Sequence, residues 1–506
     1  MTTRNRRRTA RKPRKAGGIS QLPWHQLRYH HAPYALLGED EVEQIHRTGL
    51  RILQETGMLV LSDQARDRYR KAGCEIEADS NRVFFDAALV EEFIALAPSS
   101  FRLQARNPER NIRIGDGHAV FTSVGGPAYV MDIDKGRRNG TYAEMCDFIR
   151  LVQSLDIIHQ DGGGGFEAMD LPASSRHLDL FYAQCTLLDK NWVPWTMGRR
   201  QALDAIEMAA IALGQSLEDL VESPALSGVI NTNTPLQLDI PMAEGLIAMA
   251  EYGQASAVTP FTLSGAMAPV TLAGALALQH AEAMAGIALT QIVRPGAPVL
   301  YGGFTSNVDM KSGSPAFGTP EYLQAAQASG QLARRIGVPF RSSNVNAANC
   351  TDAQAAYESA MSLWGAVSGQ ANMIKHAAGW LHGGLTASLE KLIIDAELLQ
   401  MVAASLEPFK VDESTLALEA IAEVGPAGHF FGSPHTMERY ETAFYAPLVS
   451  NWDNHETWLE SGAITTEQRA NQIWKQLLRE YEQPAIDPSV DEALQDYVAR
   501  RKLEIG

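Results

Sequence analysis

The residues of this chain that could do chemistry close a series of short apolar runs. Asp161, Trp195, Asn231, Asn233, Ser264, Asn344, Asn346, His376 and Trp380 all stand at or just past the end of such a run. Most are amides, hydroxyls or aromatics, and Phe166, Tyr301 and Phe304 fall at similar places. Neutral polar groups beside aromatic faces suit a cationic ligand with no proton to lose, because the negative face of a ring attracts a quaternary ammonium. Trp195, Trp380, Phe166 and Phe304 are the candidate walls of such a cage. His376 is the first candidate for direct substrate contact. By strand alternation it should face the same way as Asn372 and Ile374. No residue is assigned a catalytic proton transfer.

Other chemistries find less support. A G-x-S-x-G elbow is absent, and no paired glutamates stand at the run ends. His376 with His382, and His429 with His435, are each six residues apart, which is not the spacing of two ligands on one helix face. No metal site is therefore expected. GGGG at 162–165 lacks the order of a dinucleotide fingerprint and the lysine of a phosphate loop. Those glycines are expected to give backbone freedom around a tight pocket or a docked group.

Eight units must position these residues. AVFTSV (119–124), IIHQDGG (157–163), WVPWTMG (192–198), LSGVINTN (226–233), VTPFTLSG (258–265), PVLYGGFTS (298–306), VPFRSSN (338–344) and NMIKHAAG (372–379) alternate with amphipathic helices. Eight strand–helix units predict an α/β protein built on a closed (β/α)8 barrel, whose reacting groups gather at the carboxyl ends of the strands. The expected organisation is a basic tail or arm over 1–30 and an α/β lead-in over 31–115. The barrel follows over 116–407, and a helical extension over 408–506 packs on it.

The net charge is −16. Residues 1–15 carry eight basic groups and no acid, leaving about −24 for the rest. That surface argues against nucleic-acid binding by the folded body. The most apolar helix, near 272–293, is interrupted by Gln279, His280, Glu282 and Gln291, so no membrane span is expected. Four scattered cysteines without a C-x-x-C pair fit free thiols in a reducing cytoplasm.

Two long segments resemble a known family. DAQAAYESAMSLWGAVSGQANMI with GLTASLEKLIIDAELLQMV, inside 352–402, is similar to the seventh and eighth barrel units of the trimethylamine:corrinoid methyltransferase family. GHFFGSPHTMERYETAFYAPLVSNWDNHETWLESG (428–462) resembles its C-terminal signature, and IHRTGLRILQETGMLV (45–60) its N-terminal region. The founding members carry pyrrolysine after the seventh strand, whereas here 341–358 reads RSSNVNAANCTDAQAAYE. The resemblance therefore implies the pyrrolysine-free branch, which includes enzymes for glycine betaine and other quaternary amines. It implies methyl transfer from such an amine to the cobalt(I) of a corrinoid protein. A D-x-H-x-x-G corrinoid motif is absent, and DIIHQDG (156–162) has the wrong spacing. The corrinoid is thus expected on a separate cognate protein, with no cofactor bound by this chain. Gly162, Gly163, Gly164 and Gly165, with loops near 305–319 and 341–351, would form the docking rim. The anionic end of a betaine could be held by His376, His382, Asn344 or an arginine such as Arg341. The alternatives are the same family acting on trimethylamine, another tertiary amine or a sulfonium, a non-catalytic betaine-binding barrel, and an unrelated metal-dependent lyase. A homo-oligomer is expected, of an order the sequence does not fix.

Overall fold

Eight short parallel strands form the centre of the computed structural model, which describes residues 19–77 and 79–506. They are β1 (His118–Phe121), β2 (Gln160–Asp161), β3 (Asn191–Trp192), β4 (Ser227–Ile230), β5 (Ala255–Val258), β6 (Val299–Gly302), β7 (Phe340–Ser343) and β8 (Met373–Lys375). Each is followed by a helix: α1 (Tyr142–Ser154), α2 (Arg176–Leu187), α3 (Arg199–Leu213), α4 (Ile240–Glu251), α5 (Leu272–Val293), α6 (Pro320–Arg335), α7 (Ala353–Ser368) and α8 (Leu389–Leu406). Parallel ladders run from β4 through β5, β6, β7 and β8 to β1. One bridge, Thr122 to Gln160, joins β1 to β2, and β2 pairs with β3. The result is a mixed α/β fold around a nearly closed, eight-stranded barrel-like sheet.

Between β3 and β4 no backbone ladder forms, and side chains bridge the seam. Asn191 Nδ2 donates to Ala225 O at 2.6 Å and to Gln104 O at 2.7 Å. Gln160 Nε2 donates to Ser227 Oγ at 3.0 Å and also to Asn191 Oδ1. All four residues at this join, Gln160, Asn191, Ala225 and Ser227, are buried. Buried carbonyls need partners, and here an amide supplies them where strand geometry does not.

The fifth run was set too late by sequence. The strand is Ala255–Val258, so the run 258–265 covers only its last residue. Its remainder holds Thr262–Ser264, which pairs with Thr305–Val308 above the barrel. Ala255, Ser256 and Ala257 are small because the strand is buried on both faces, and small residues carry little hydrophobic signal.

Alternation sorts the strand residues. Val120, Ala255, Ala257, Leu300 and Met373 point into the barrel and meet Leu103, Ile112 and Ile114 of the hairpin Ser100–Leu103/Ile112–Gly115, which closes the bottom. Phe121, Val258, Tyr301, Phe340 and Ile374 face the helices and belong to the main core. α5 is long and apolar enough to cross a membrane, but it lies inside the fold with Gln279, His280, Glu282 and Gln291 all buried. The four cysteines are free.

The basic head, residues 1–15, lies outside the described residues. Residues 19–30, expected as part of that tail or arm, run along the body instead. Leu27–Arg28 pairs antiparallel with His118–Ala119, and Tyr29 OH donates to Ala371 O at 2.8 Å. The C-terminal part is tied down unevenly. Asp204 of α3 accepts from Tyr497 OH at 2.8 Å and Arg501 Nε at 2.7 Å, and Glu390 of α8 accepts from Asn471 and Trp474 at 2.9 Å. Among the described residues, 408–444 make no such ties.

Asn191→Ala should remove the amide at the seam and leave the buried Ala225 carbonyl and the half-buried Gln104 carbonyl without it. The expected cost is about 1–3 kcal/mol, read as a lower thermal midpoint with the parental circular dichroism retained at 20–25 °C (~room temperature). An unchanged midpoint would mean that the seam contributes nothing.

Candidate functional site

At the carboxyl ends of the strands lies a cavity of about 340 Å³. That is within the range of small-molecule sites. Its lining includes Trp195, Phe261, Phe304 and Trp380 as aromatic walls, and Arg341, Lys375 and His376 as nitrogen-bearing groups. Of the expected site residues, Trp195, Trp380, Phe304, His376 and Gly162 reach it. Arg341, named only as an example of an anion holder, does so too.

Two cations mark this cavity. Arg341 and Lys375 are each 2 % exposed, and neither side chain forms an ion pair or a hydrogen bond among the described residues. Arg341 lies with its guanidinium carbon 5.3 Å from the Phe304 ring centre, and its Nε and Nη1 lack partners. Burial pushes it down to about 10. Burial, and then repulsion by Arg341, pushes Lys375 down to about 7, while Asp161 opposes the shift. Lys190 is an instructive contrast. It is equally buried and also pushed down to about 7, yet its ammonium donates to three carbonyls, Val152, Leu155 and Ile158, at 2.8 Å each. Lys190 is a structural lysine with all three donors used. Lys375 has them free.

Position along β8 explains Lys375. It shares the inward phase with Met373, and the strand then ends. The expected alternation would turn His376 outward with Ile374. A left-handed backbone at His376, φ +52°, breaks that alternation, so consecutive residues both reach the cavity. Burial, with Arg341 and Lys375 nearby, lowers the His376 pKa well below its ordinary value. Its Nδ1 is unpartnered.

The aromatic wall is a connected cluster. His376 and Trp380 rings lie 4.6 Å apart, and Phe304 contacts both at 6.5 Å. Phe261 packs on Phe304 at 5.2 Å. Trp380 is clamped to Asn346: its Nε1 donates to Asn346 O at 3.0 Å, and Asn346 Nδ2 donates to Trp380 O at 2.7 Å. Gly384 lies under the Trp380 ring, where a Cβ would come within 2.4 Å.

Several expected residues have other partners. Phe166 is fully buried behind the cavity, with its ring 6.1 Å from Phe148 and against Gly140, so it does not line the site. Asn344 donates from Nδ2 to Ala377 O at 2.8 Å and fixes the loop that carries His376. His382 sits in a short turn, bonded to Thr386 Oγ1 and Asn349 O at 2.8 Å, and is not part of the lining.

The glycine run also departs from expectation. Gly162 through Gly165 are buried, so Gly163, Gly164 and Gly165 form no exposed rim. Gly163, Gly164 and Gly165 have φ of +124°, +75° and +83°. The turn wraps the Asp161 carboxylate, which accepts from Gly163 N at 3.0 Å, Gly164 N at 2.8 Å and Gln184 Nε2 at 2.6 Å. A Cβ on Gly162 would meet Ser123 O at 2.0 Å, and one on Gly164 would meet Leu180 at 2.5 Å. Close packing, not phosphate or partner contact, requires the glycines here. Glycine does reach the open mouth at Gly125 and Gly126.

Sequence reading missed Lys375, Phe261, Glu167 and Thr196 in the lining. Lys375 had one signal: a charge in the inward phase of an otherwise apolar strand. Glu167 lies 3.0 Å from Arg176, yet burial outweighs that neighbour and holds its carboxyl above the ordinary range.

A barrel-like sheet with a small, cation-floored, aromatic-walled cavity at its strand ends defines a small-molecule enzyme class. The comparisons with known proteins narrow it. Residues 3–506 match the family described as trimethylamine methyltransferase (MTTB). The chain is 37 % identical over 474 residues to a glycine betaine methyltransferase of Desulfitobacterium hafniense (strain Y51), covering 94 % of this chain and 98 % of the relative. It is 27 % identical over 477 residues to the trimethylamine methyltransferase MttB of D. hafniense (strain DSM 10664 / DCB-2), covering 92 % and 94 %. Among solved structures it is similar to the Methanosarcina barkeri monomethylamine methyltransferase (MtmB), with TM-score 0.45, 10 % identity and coverage of 88 % and 95 %. The chain belongs to the trimethylamine methyltransferase (MTTB) family and is a methyltransferase.

Gly164→Ala should lower the thermal midpoint. Left-handed backbone without glycine costs about 1–3 kcal/mol, and Leu180 must also move. A parental midpoint would show that the turn around Asp161 relaxes freely.

Proposed function

We propose that this methyltransferase takes its methyl group from a small quaternary amine of the betaine class, glycine betaine or a close analogue, and delivers it to the cobalt(I) of a corrinoid on a separate protein. One observation carries the substrate: Arg341 and Lys375 are buried on the cavity wall without a carboxylate partner. Unpaired buried charge is costly, so an anionic ligand group is the fitting complement. A bare ammonium would be repelled by both. A betaine gives its carboxylate to Arg341 and Lys375 and its ammonium to the rings of Trp195, Phe304 and Trp380. The name of the 37 % identical relative supports the same reading.

The chemistry asks little of the protein beyond position. A quaternary nitrogen already bears its charge, so the C–N bond breaks with its electron pair kept on nitrogen. A neutral tertiary amine leaves without a proton. Burial that disfavours protonation of His376 agrees with a site that needs no acid. When the partner is docked, reduced cobalt supplies the nucleophile. A cavity of about 340 Å³ accommodates a small amine and not a macrocycle, which supports presentation from outside. At the mouth Gly126 is exposed, and a Cβ there would meet no atom within 4 Å. The chain's own part is to fix the carboxylate, exclude water and aim one methyl at the opening.

Arg341→Gln should weaken glycine betaine binding about 30-fold or more, in line with a loss of about 2–5 kcal/mol for a buried charged contact. Calorimetry checks this, with choline and trimethylamine as ligands lacking the carboxylate. Tighter binding of either than of glycine betaine would overturn the substrate assignment. Transfer itself is read as loss of cobalt(I) absorbance when enzyme, betaine and reduced cognate corrinoid protein are mixed. A chain that binds betaine but never consumes cobalt(I) would be the non-catalytic binder.

The pH dependence has a definite sign. Free Lys375 titrates near 7, and a bound carboxylate raises that value. Affinity is then level below pH 7. It falls as pH rises from about 7 to the bound-state pKa, by at most about tenfold per unit. Lys375→Met should bind more weakly, with a flat profile over that interval. The same slope in parent and variant would remove Lys375 from the anion site.

A further inference from the structure

We infer that residues 408–444 are an exchange arm that packs into the apolar groove between α7 and α8 of a second copy of this chain, while that copy's arm fills the groove of the first. The arm leaves the body at the end of α8 and returns at Leu448–Ser450, where Glu397 accepts from Val449 N at 2.8 Å and Ser450 Oγ at 3.0 Å. Between those points its hydrogen bonds, ion pairs and ring contacts among the described residues stay within the segment. None of its side chains belongs to a core cluster. Yet ten of its residues are large, apolar and exposed, and Phe409, Phe431 and Phe444 are 88 %, 84 % and 85 % exposed. Monomeric proteins rarely leave such a surface uncovered. An aromatic side chain buries about 150–250 Å², so the arm reaches the scale of the roughly 800 Å² per partner of a stable interface.

The groove is its counterpart. It has a volume of about 720 Å³ and no Asp, Glu, Lys or Arg in its lining. Trp364 lines it at 66 % exposure, with Tyr34, Leu363 and Val402. Ser405 and Leu406 line it too, so the arm departs from the groove's own edge and leaves it empty. Every copy thus carries both halves of one apolar contact, and a two-fold pair satisfies both halves at once. The arm holds six acids (Asp412, Glu413, Glu419, Glu423, Glu438 and Glu441) against Lys410 and Arg439. That balance opposes an anionic membrane surface. The groove is built on the C-terminal turns of α7 and α8, at the end of the barrel opposite the cavity. Pairing there keeps the mouth free.

The test is the mass of the full chain by light scattering after size exclusion at micromolar concentration. The expected mass is an even multiple of 55.2 kDa. The arm variant Phe431→Ser with Phe444→Ser, and separately the groove variant Trp364→Asp, should each halve that mass or weaken association at least tenfold. All three positions are exposed in the single chain, so its circular dichroism and its glycine betaine affinity should stay parental. Mixing arm and groove variants leaves one intact contact per pair, and a weaker dimer should return. A monomeric parent, a dimer that survives both variants, or a mixture that stays monomeric would each overturn the exchange. Amine binding is read separately, so failure here does not bear on the substrate reading.

Discussion

Two positive charges held out of water govern this site. Arg341 lies near the start of β7 and Lys375 ends neighbouring β8, and inward alternation aims both at the same space. Transferring a cation from water into a protein interior is unfavourable unless a partner compensates. Among the described residues no carboxylate forms an ion pair with either. The nearest buried acid that acts on Lys375, Asp161, is already occupied by backbone and amide donors. The fold therefore keeps two unpaired basic groups beside aromatic rings in one cavity of about 340 Å³, and the proposed zwitterionic substrate rests on that combination.

Keeping the cavity walls in place needs rigid loops, and buried carboxylates supply the rigidity. Asp161 binds the amides of Gly163 and Gly164. Glu282 of α5 accepts from Leu236 N and Thr234 Oγ1 at 2.8 Å, fixing the loop after β4. Glu358 of α7 accepts from Ala347 N at 2.8 Å and Ala348 N at 3.0 Å, beside Asn346 and its clamp on Trp380. Asp395 of α8 accepts from Gly379 N at 2.9 Å, between His376 and Trp380. Charge-assisted bonds to backbone amides are stronger than neutral ones. Each fixes a segment that displays a wall or floor residue. The acids most visible on helices in the sequence thus serve the loops, and the cavity keeps its positive bias.

Particular residues show what was legible. The eight units were readable because parallel strands buried on both faces give continuous apolar runs. β5 was misplaced because alanine and serine fill a tight interior without a strong apolar signature. Trp195, Trp380 and Phe304 were found by their place at strand ends. Phe166 satisfied the same rule and packs on Phe148 instead, because strand-end position does not state on which side of the sheet a side chain lies. His376 reached the cavity against its parity, through a left-handed backbone that alternation cannot anticipate. Lys375 was hidden inside an apolar run where only its phase distinguished it.

The sequence by itself determined the element order, the level of the chain at which functional groups collect, and the family, since each is written in local pattern or long motifs. Tertiary structure decided which side chains converge. Arg341 and Lys375 are 34 positions apart in the chain, and only the pairing of neighbouring strands brings them to one cavity. The glycines of 162–165 could have served a phosphate, a partner or a tight turn. Only the closeness of Ser123, Leu180 and the Asp161 carboxylate selects the turn. Exposure of the 408–444 segment was likewise invisible beforehand, because apolar residues signal burial in sequence without saying whether the burying surface belongs to the same chain.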